Sequence, residues 1–369
     1  LKEKKQLIKE LEAILKSPKK IKGLIKSELK ELVEKFGDDR RTKVITRGVS
    51  EFKQEDLVPN EEVIITLTKS GYIKCLPEKT YKSQGRGGKG VIGMTTKEED
   101  MVMHFLATTT HSDILFFTNR GRVFQLKAYE IPKTTRQAKG QAIVNFLQLA
   151  PEEKITALVA NESQNPGKYI AMINKNGLAK KVELSDFANV RRSGLIAIKL
   201  KKDDELRWAK YTTGDNDILL VTSEGQAIRF AEKDIRAMGR NAAGVRAIRL
   251  KKQNDEIVGM DVVDKKPASD AMVLVVTKNG FGKKSKVAQY KKQHRGGSGI
   301  KTAKITPKNG KIVTARFIDS TDEEIIIISK KGQTIRIALK SVSEHGRATQ
   351  GIRIMRLKPG DEVSAIAII

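Results

Sequence analysis

The chain holds a single cysteine and a single tryptophan in 369 residues. A lone Cys75 excludes a disulfide framework and a Cys-based zinc site, and it fits a reducing, intracellular setting. Aromatic residues make up 5%, and few of them fall in loops, which argues against stacking platforms for single-stranded bases. No apolar run approaches the roughly 20 residues needed to span a bilayer, so no membrane contact is expected. No secretory leader is visible and the first residue is Leu1, from which we expect a segment of a longer protein. His104, His111, His294 and His345 are scattered, without a Cys or carboxylate cluster. They read as ordinary surface or loop residues, with no metal site. Acid is the scarcer charge: 44 Asp and Glu stand against 71 Lys and Arg, a net +27. Polyanions are the partners such a surface attracts, nucleic acid first among them. At 39% hydrophobic residues the composition is that of a globular chain, not a disordered one.

What is abundant is an internal period. Six times a Ser, Thr or Asn sits three residues before a Gly, just after a strand-forming run: Thr68 and Gly71, Thr118 and Gly121, Asn174 and Gly177, Thr222 and Gly225, Thr277 and Gly280, Ser329 and Gly332. A second Gly follows 19 residues later in five units (Gly90, Gly140, Gly244, Gly299, Gly351) and 17 later in the third (Gly194). A fixed period of this size identifies a repeat architecture. Each unit reads as strand, Gly-containing turn, strand, second Gly, a further strand-like run such as Ala142–Leu147 or Leu195–Leu200, an acidic turn, and a closing strand. Four strands in roughly 50 residues is the size of a propeller blade. The expected fold is therefore all-β and propeller-like with six blades, over about 58–108, 109–164, 165–213, 214–267, 268–320 and 321–369. Ahead of it, apolar positions at helical spacing predict two helices in 1–37, with Ser17 as N-cap, Pro18 at the first helical position and Gly37 as the stop. Residues 42–57 read as a linker. The helices read as a packing element without chemistry.

Basic residues follow the same period. Four before the second Gly stand Arg86, Arg136, Arg240, Arg295 and Arg347; the short third unit offers Arg191 and Arg192. Four after the first Gly stand Lys181, Arg229, Lys284 and Arg336, beside Lys180 and Lys283; blade 1 has Lys74 one place earlier. Lys139 adjoins the second Gly of its unit. One repeat position maps to one ring of a propeller, so these bases predict a basic ring, apart from the acidic turns. A curved basic track can hold duplex DNA through its phosphates, with little reading of sequence, and its contacts offset the cost of bending.

Blade 1 differs at Gln84-Gly85-Arg86-Gly87-Gly88-Lys89-Gly90. The surroundings fit neither a dinucleotide fingerprint nor a Walker loop. Four glycines and two bases allow close approach of backbone N–H groups to phosphate, and the stretch can equally serve as a flexible connector. The loop resembles the signature box of the C-terminal domain of the DNA gyrase A subunit, Q-R-R-G-G-K-G, departing from it at Gly85. Tyr81-Lys82-Ser83, Phe116 to Arg122 and Asn279 to Lys284 are similar to the same family. Residues 1–41, rich in helix signals and ending at Arg40-Arg41, resemble the end of the family's core near its coiled coil.

The resemblance implies a six-bladed β-pinwheel over 58–369 that wraps duplex DNA on its basic rim. It implies a place in an ATP-dependent type IIA topoisomerase that introduces negative supercoils, bacterial and cytoplasmic, at the nucleoid. The implied partners are duplex DNA, the gyrase B subunit, and a second A subunit. ATP and Mg2+ are expected only in other parts of that holoenzyme, and the catalytic Tyr lies outside this segment. By resemblance Gln84, Arg86, Gly87, Gly88, Lys89 and Gly90 carry over as DNA-binding; Gly85 does not. The A subunit of topoisomerase IV is the nearest alternative, and a propeller for protein recognition, with exposed apolar patches, a more distant one.

Overall fold

The computed structural model describes residues 1–38, 54–77, 102–135, 138–161, 167–319, 323–331 and 333–368. Contacts divide the chain into Leu1–Asp56 and Leu57–Ile369.

In the first unit two helices form, α1 (Lys2–Leu15) and α2 (Pro18–Phe36). Pro18 opens α2 as expected, but the Ser17 side chain makes no capping bond. Gly37 ends the helix in an extended conformation rather than the left-handed one, and its N–H bonds Val33 O at 2.8 Å. Neither helix buries a residue within this unit.

In the second unit six sheets form, five of four strands and one of three, which makes a six-bladed β-propeller. The central strands are Glu62–Thr68, Asp113–Thr118, Tyr169–Asn174, Asp217–Thr222, Met272–Thr277 and Glu324–Ser329. Their apolar runs are continuous because the strands of blades 1 to 5 are covered on both faces; in blade 6 Ile326 and Ile328 are half-buried. Leu115 and Phe117 enter one interblade core, Ile114 and Phe116 the previous one. Ile218 and Leu220 face blade 3, while Leu219 and Val221 face blade 5.

The polar residue three before the first Gly is buried at every central strand's end. Thr68 Oγ1 accepts the Tyr72 N–H at 3.0 Å, Asn174 Oδ1 that of Leu178 at 2.6 Å, and Ser329 Oγ that of Gln333 at 3.0 Å. The Gly turns back on the same residue: Gly71 N–H donates to Thr68 O at 3.0 Å, with φ +83°. A short side-chain acceptor and a left-handed Gly are what this turn demands, which explains the motif.

The second Gly does something the sequence pattern misassigns. Spacing alone makes the run after it a strand of its own unit. Only its first two residues pair, and they pair with the preceding blade: Gln141–Ala142 on Tyr72–Pro77, Leu195–Ile196 on Arg122–Lys127, Val245–Arg246 on Leu178–Glu183, Ile300–Lys301 on Gln226–Ala231 and Ile352–Arg353 on Phe281–Lys286. The chain then clasps the earlier turn. Ile143, Ala197, Ala247, Thr302 and Ile354 each donate an N–H to the first Gly of the previous blade, at 2.8–2.9 Å. Blades 2 to 6 each lend a segment backward in this way. Blade 6 (strands Glu324–Ser329, Thr334–Ala338 and Val363–Ile368) has three strands among the described residues.

Opposite the crossover edge lie the inner strands, which pack on one another about the axis: Val102–Thr109 on Ile155–Asn161, the latter on Leu206–Thr212, and Ile257–Val263 on Ile312–Ile318. Asp261 ties three of them, pairing with Lys210 and accepting the Phe317 N–H at 2.7 Å. His104 belongs to this hub and not to an ordinary surface loop. Burial, then the Arg316 charge, lowers its pKa to about 4.

Candidate nucleic-acid interface

The crossover segments form the outer edge of the propeller, and the bases must be placed against that edge. Between its bridge to the preceding blade and its two-residue strand, each crossover bulges into a loop. In blade 4, Ala237 bridges Lys181 and Val245 pairs with Ala179, so the loop 238–244 spans position 180. Its second Gly has φ +89°, and a Cβ there would meet Ala179 O at 2.5 Å. Only glycine lets the chain turn that close to the neighbouring backbone.

The Arg four before the second Gly rides on this loop. Arg191 and Arg192 are exposed, and Arg240, Arg295 and Arg347 are half-buried. Arg295 spends Nε on Asp234 O at 2.8 Å and Nη1 on Arg246 O at 3.1 Å. Arg347 Nη1 bonds Lys301 O at 2.7 Å. These two guanidinium groups lie on the rim and also tie each crossover to the one before it. Lys139 is half-buried with Nζ 3.7 Å from the Tyr72 ring centre. Gln84, Arg86, Gly87, Gly88, Lys89, Gly90 and Arg136 lie outside the described residues.

The bases near the first Gly are a different matter, and the structure corrects their expected place on an open ring. Arg229 is buried against Asp217, Nε to Oδ2 at 2.9 Å. Lys181 is buried, 3.2 Å from Glu232 Oε1. Arg336 is exposed but paired with Glu324, Nε to Oε2 at 2.7 Å. Lys284 is half-buried, and that burial lowers its pKa against the opposing pull of Glu344. Lys180 and Lys283 are fully enclosed, as is Lys74. The strands that carry Lys74, Lys180, Lys181, Arg229, Lys283 and Lys284 are each crossed by the next blade's segment, whereas no crossover pairs with the strand of Arg336 among the described residues.

The period also marks bases that the sequence reading passed over. Five residues after the second Gly stand Lys199, Arg249, Lys304 and Arg356, all exposed. Two after it stand Arg246, Lys301 and Arg353, also exposed. The same spacing that marked the Arg loops could have found both sets. Their backbone joins one crossover to the next: Lys199 N–H donates to Ala242 O at 3.2 Å, Arg249 to Gly297 O at 2.8 Å, Lys304 to Thr349 O at 3.0 Å. The outer edge is thus a bonded belt that carries bases at three recurring positions.

The acidic turns behave otherwise. One carboxylate of each is buried: Glu153, Asp204, Asp255 and Asp361. Each locks the hairpin turn of its own blade. Glu153 accepts Thr118 Oγ1 at 2.6 Å and Arg122 Nε at 2.9 Å; Asp255 accepts Ser223 Oγ at 2.9 Å and Glu224 N–H at 3.0 Å. Desolvation raises the Glu153 pKa, but the bonds from Arg122, Thr118 and Ala150 outweigh it and leave it lowered. One carboxylate of each of these turns is thus spent inside the fold, and its acidic neighbours stay at or near the surface.

Known proteins share this anatomy. A family model described as the DNA gyrase C-terminal domain, beta-propeller, matches residues 62–109, 112–161, 168–212, 216–264, 271–319 and 323–369, blade by blade. The DNA gyrase A subunit of Staphylococcus epidermidis is 43% identical over 363 residues, 98% of this chain and 40% of the relative. That of Staphylococcus aureus is 42% identical over 361 residues, with the same coverage. The chain spans about two fifths of the length of these relatives. Among solved structures, a C-terminal domain of DNA topoisomerase IV matches at a TM-score of 0.70 and 27% identity, covering 85% of this chain and 94% of the other. A DNA gyrase A C-terminal domain matches at 0.68 and 27%, covering 84% and 100%. The chain belongs to the DNA gyrase A C-terminal domain family.

Proposed function

We propose that this chain wraps duplex DNA along its outer belt as the C-terminal part of a gyrase A subunit. The observation that carries the reading is the belt itself: consecutive crossovers bonded to each other, with exposed bases at repeating positions. Evenly repeated cations on a convex edge suit a bent polyanion and no small ligand. Phosphate contacts supply the affinity, and their number offsets the cost of bending. The bases that serve are Lys139, Arg191, Arg192, Arg240, Arg295 and Arg347, joined by Lys199, Arg249, Lys304 and Arg356. The box residues Gln84 to Gly90, Gly85 excepted, and Arg136 complete the track. Lys181, Arg229, Lys283 and Lys180 support it from below, and Lys284 and Arg336 flank it.

In the whole protein this wrap presents DNA to a cleavage core contributed by other parts, so that strand passage driven by ATP introduces negative supercoils. The gyrase B subunit, with a second A subunit, completes that assembly in the bacterial cytoplasm. ATP, Mg2+ and the catalytic Tyr belong elsewhere in it, and this segment cuts no DNA itself. The topoisomerase IV reading retains the support of a solved structure as similar as the gyrase one. Two measurements decide. Ligating nicked plasmid in the presence of this chain should trap a positive linking-number change; no change removes the wrapping role. The full-length protein with its partner subunit should supercoil negatively with ATP; relaxation and decatenation alone would assign it to topoisomerase IV.

A further inference from the structure

Three of the enclosed lysines occupy one repeat position, three residues after the first Gly, in alternate blades: Lys74, Lys180 and Lys283. The blades between them carry Phe124 and Ile228 there. Each lysine aims its ammonium at a carbonyl of the crossover loop above it, and Lys180 also reaches Ala197 O of its own blade. Lys74 Nζ bonds Ala138 O at 3.0 Å. Lys180 Nζ bonds Ala197 O at 2.8 Å and Arg240 O. Lys283 Nζ bonds Gly346 O at 2.8 Å, Arg347 O at 2.6 Å and Thr349 Oγ1 at 3.3 Å, which uses its three donors. Arg240 and Arg347 are the belt arginines of their blades, so the buried charge grips the backbone of the residue whose side chain faces outward.

This grip fixes a peptide plane. In a trans peptide the C=O and the following N–H point in opposite directions. With Arg240 O and Arg347 O drawn inward, the N–H groups of Asn241 and Ala348 face outward. Both residues are exposed, and neither N–H has a partner among the described residues. The loop of blade 5, over the apolar Ile228, differs: its Gly296 N–H is turned to Ala247 O at 2.6 Å. An outward N–H beside a guanidinium is a good phosphate donor pair.

We propose that Lys180 and Lys283 are positioning residues for DNA: they hold the N–H groups of Asn241 and Ala348 outward as backbone phosphate donors, next to Arg240 and Arg347. The belt then has two kinds of station, ammonium-floored loops that contact phosphate through backbone and side chain, and apolar-floored loops that use side chains alone. This rests on the DNA-wrapping reading and sharpens it.

The test uses the full-length protein and a linear duplex, with affinity followed over salt. Lys180→Met and Lys283→Met keep the shape and remove the ammonium. Each should weaken binding about tenfold, as the loss of a charge-assisted bond implies. The salt slope should change little, because the donor lost is a neutral N–H and the belt arginines remain. Ile228→Val, an apolar-floor change, should lower stability and leave the affinity intact. Amide hydrogen exchange on the unmutated protein gives a second reading: Asn241 and Ala348 should exchange quickly when free and slow down on duplex, whereas Gly296 should not change. Lysine variants that lose stability but keep affinity, or no slowing at Asn241 and Ala348, would overturn the proposal. If the unmutated protein shows no salt-dependent duplex binding, it is the wrapping reading that fails.

Discussion

Among the described residues, the first and second glycines of the repeats share a left-handed backbone yet serve opposite ends of the design. The first Gly closes a hairpin within one blade, and a buried carboxylate from the acidic turn locks it, as Asp255 locks the turn at Gly225. The second Gly carries the chain from its own blade onto the previous one and leaves bases at the surface on either side of it. Acid is consumed inside at the first, and base is displayed at the second. The chain's net charge of +27 therefore lies mainly at the surface: among the described residues seven carboxylates and five bases are buried, which leaves the basic excess outside.

The largest effect should come from the crossover glycines. In Gly244→Ala the new Cβ meets Ala179 O at 2.5 Å, at a φ of +89°. Left-handed strain and a backbone clash that no rotamer relieves should cost about 3 kcal/mol or more. Gly71→Ala tests the other class at its most tolerant site, since its Cβ would meet only Ile143 Cγ2, at 3.4 Å. There the φ penalty alone remains, about 1–2 kcal/mol. Denaturant midpoints of the two variants should differ accordingly, and equal losses would mean that the contact with Ala179 O adds nothing to the left-handed strain.

Next is the belt itself. Replacing Lys199, Arg249, Lys304 and Arg356 together by Ala should leave stability within about 1 kcal/mol, because the side chains are exposed. Duplex affinity should fall about a hundredfold, and the salt slope should shrink by about 0.9 for each phosphate no longer neutralised. A variant that binds as before would confine the interface to the Arg loops.

Much of this anatomy was legible beforehand. The central strands, the six units and the hairpin turn all follow from local rules: β-branched runs, a short polar acceptor and a Gly. What stayed hidden is non-local. Nothing in Ala142–Leu147 or Leu195–Leu200 says that their first residues pair with the previous blade, because the exchange depends on where that blade stands. The same blindness affected charge. Arg229 and Arg240 look alike in sequence, yet one faces Asp217 under the crossover and the other rides above it. Spacing places residues on a ring, and whether a position lies on the strand or on the segment that crosses it then decides its exposure.

The hairpin locks should matter less than the glycines and leave DNA binding alone. Glu153→Gln breaks a buried pairing with Arg122 and weakens the bond from Thr118, for about 2 kcal/mol. The pH dependence has a defined sign. With its folded pKa below the ordinary 4.5, Glu153 contributes stability that is fully present above that value. The contribution is lost as pH falls through the folded pKa. Acid unfolding midpoints of the unmutated chain and Glu153→Gln should therefore converge below it, while duplex affinity at neutral pH stays the same. A drop in affinity would mean that hairpin and belt are not separate.

Lys180 and Lys283 join the two regions, since they stand on the hairpin strand and serve the crossover. Burial lowers both to about 8 from 10.5, with Arg240 and Arg347 adding to the shift and Asp186 opposing it at Lys180. Between those values the unfolded chain binds a proton that the folded chain has released. Stability should thus rise with pH across the window, by about 1 kcal/mol for each lysine between pH 8 and 9. Above pH 9 the trend is opposed, because the buried Cys75 thiol, raised to about 11 from 9.0, stays protonated while the unfolded thiol ionises. Comparing the unmutated chain with Lys283→Met between pH 8 and 9 isolates the lysine. The ammonium is costly to bury and is kept, so what it returns must be the geometry of the loop above it. A flat difference across that interval would show that the charge is not enclosed in solution, and the two kinds of belt station would collapse into one.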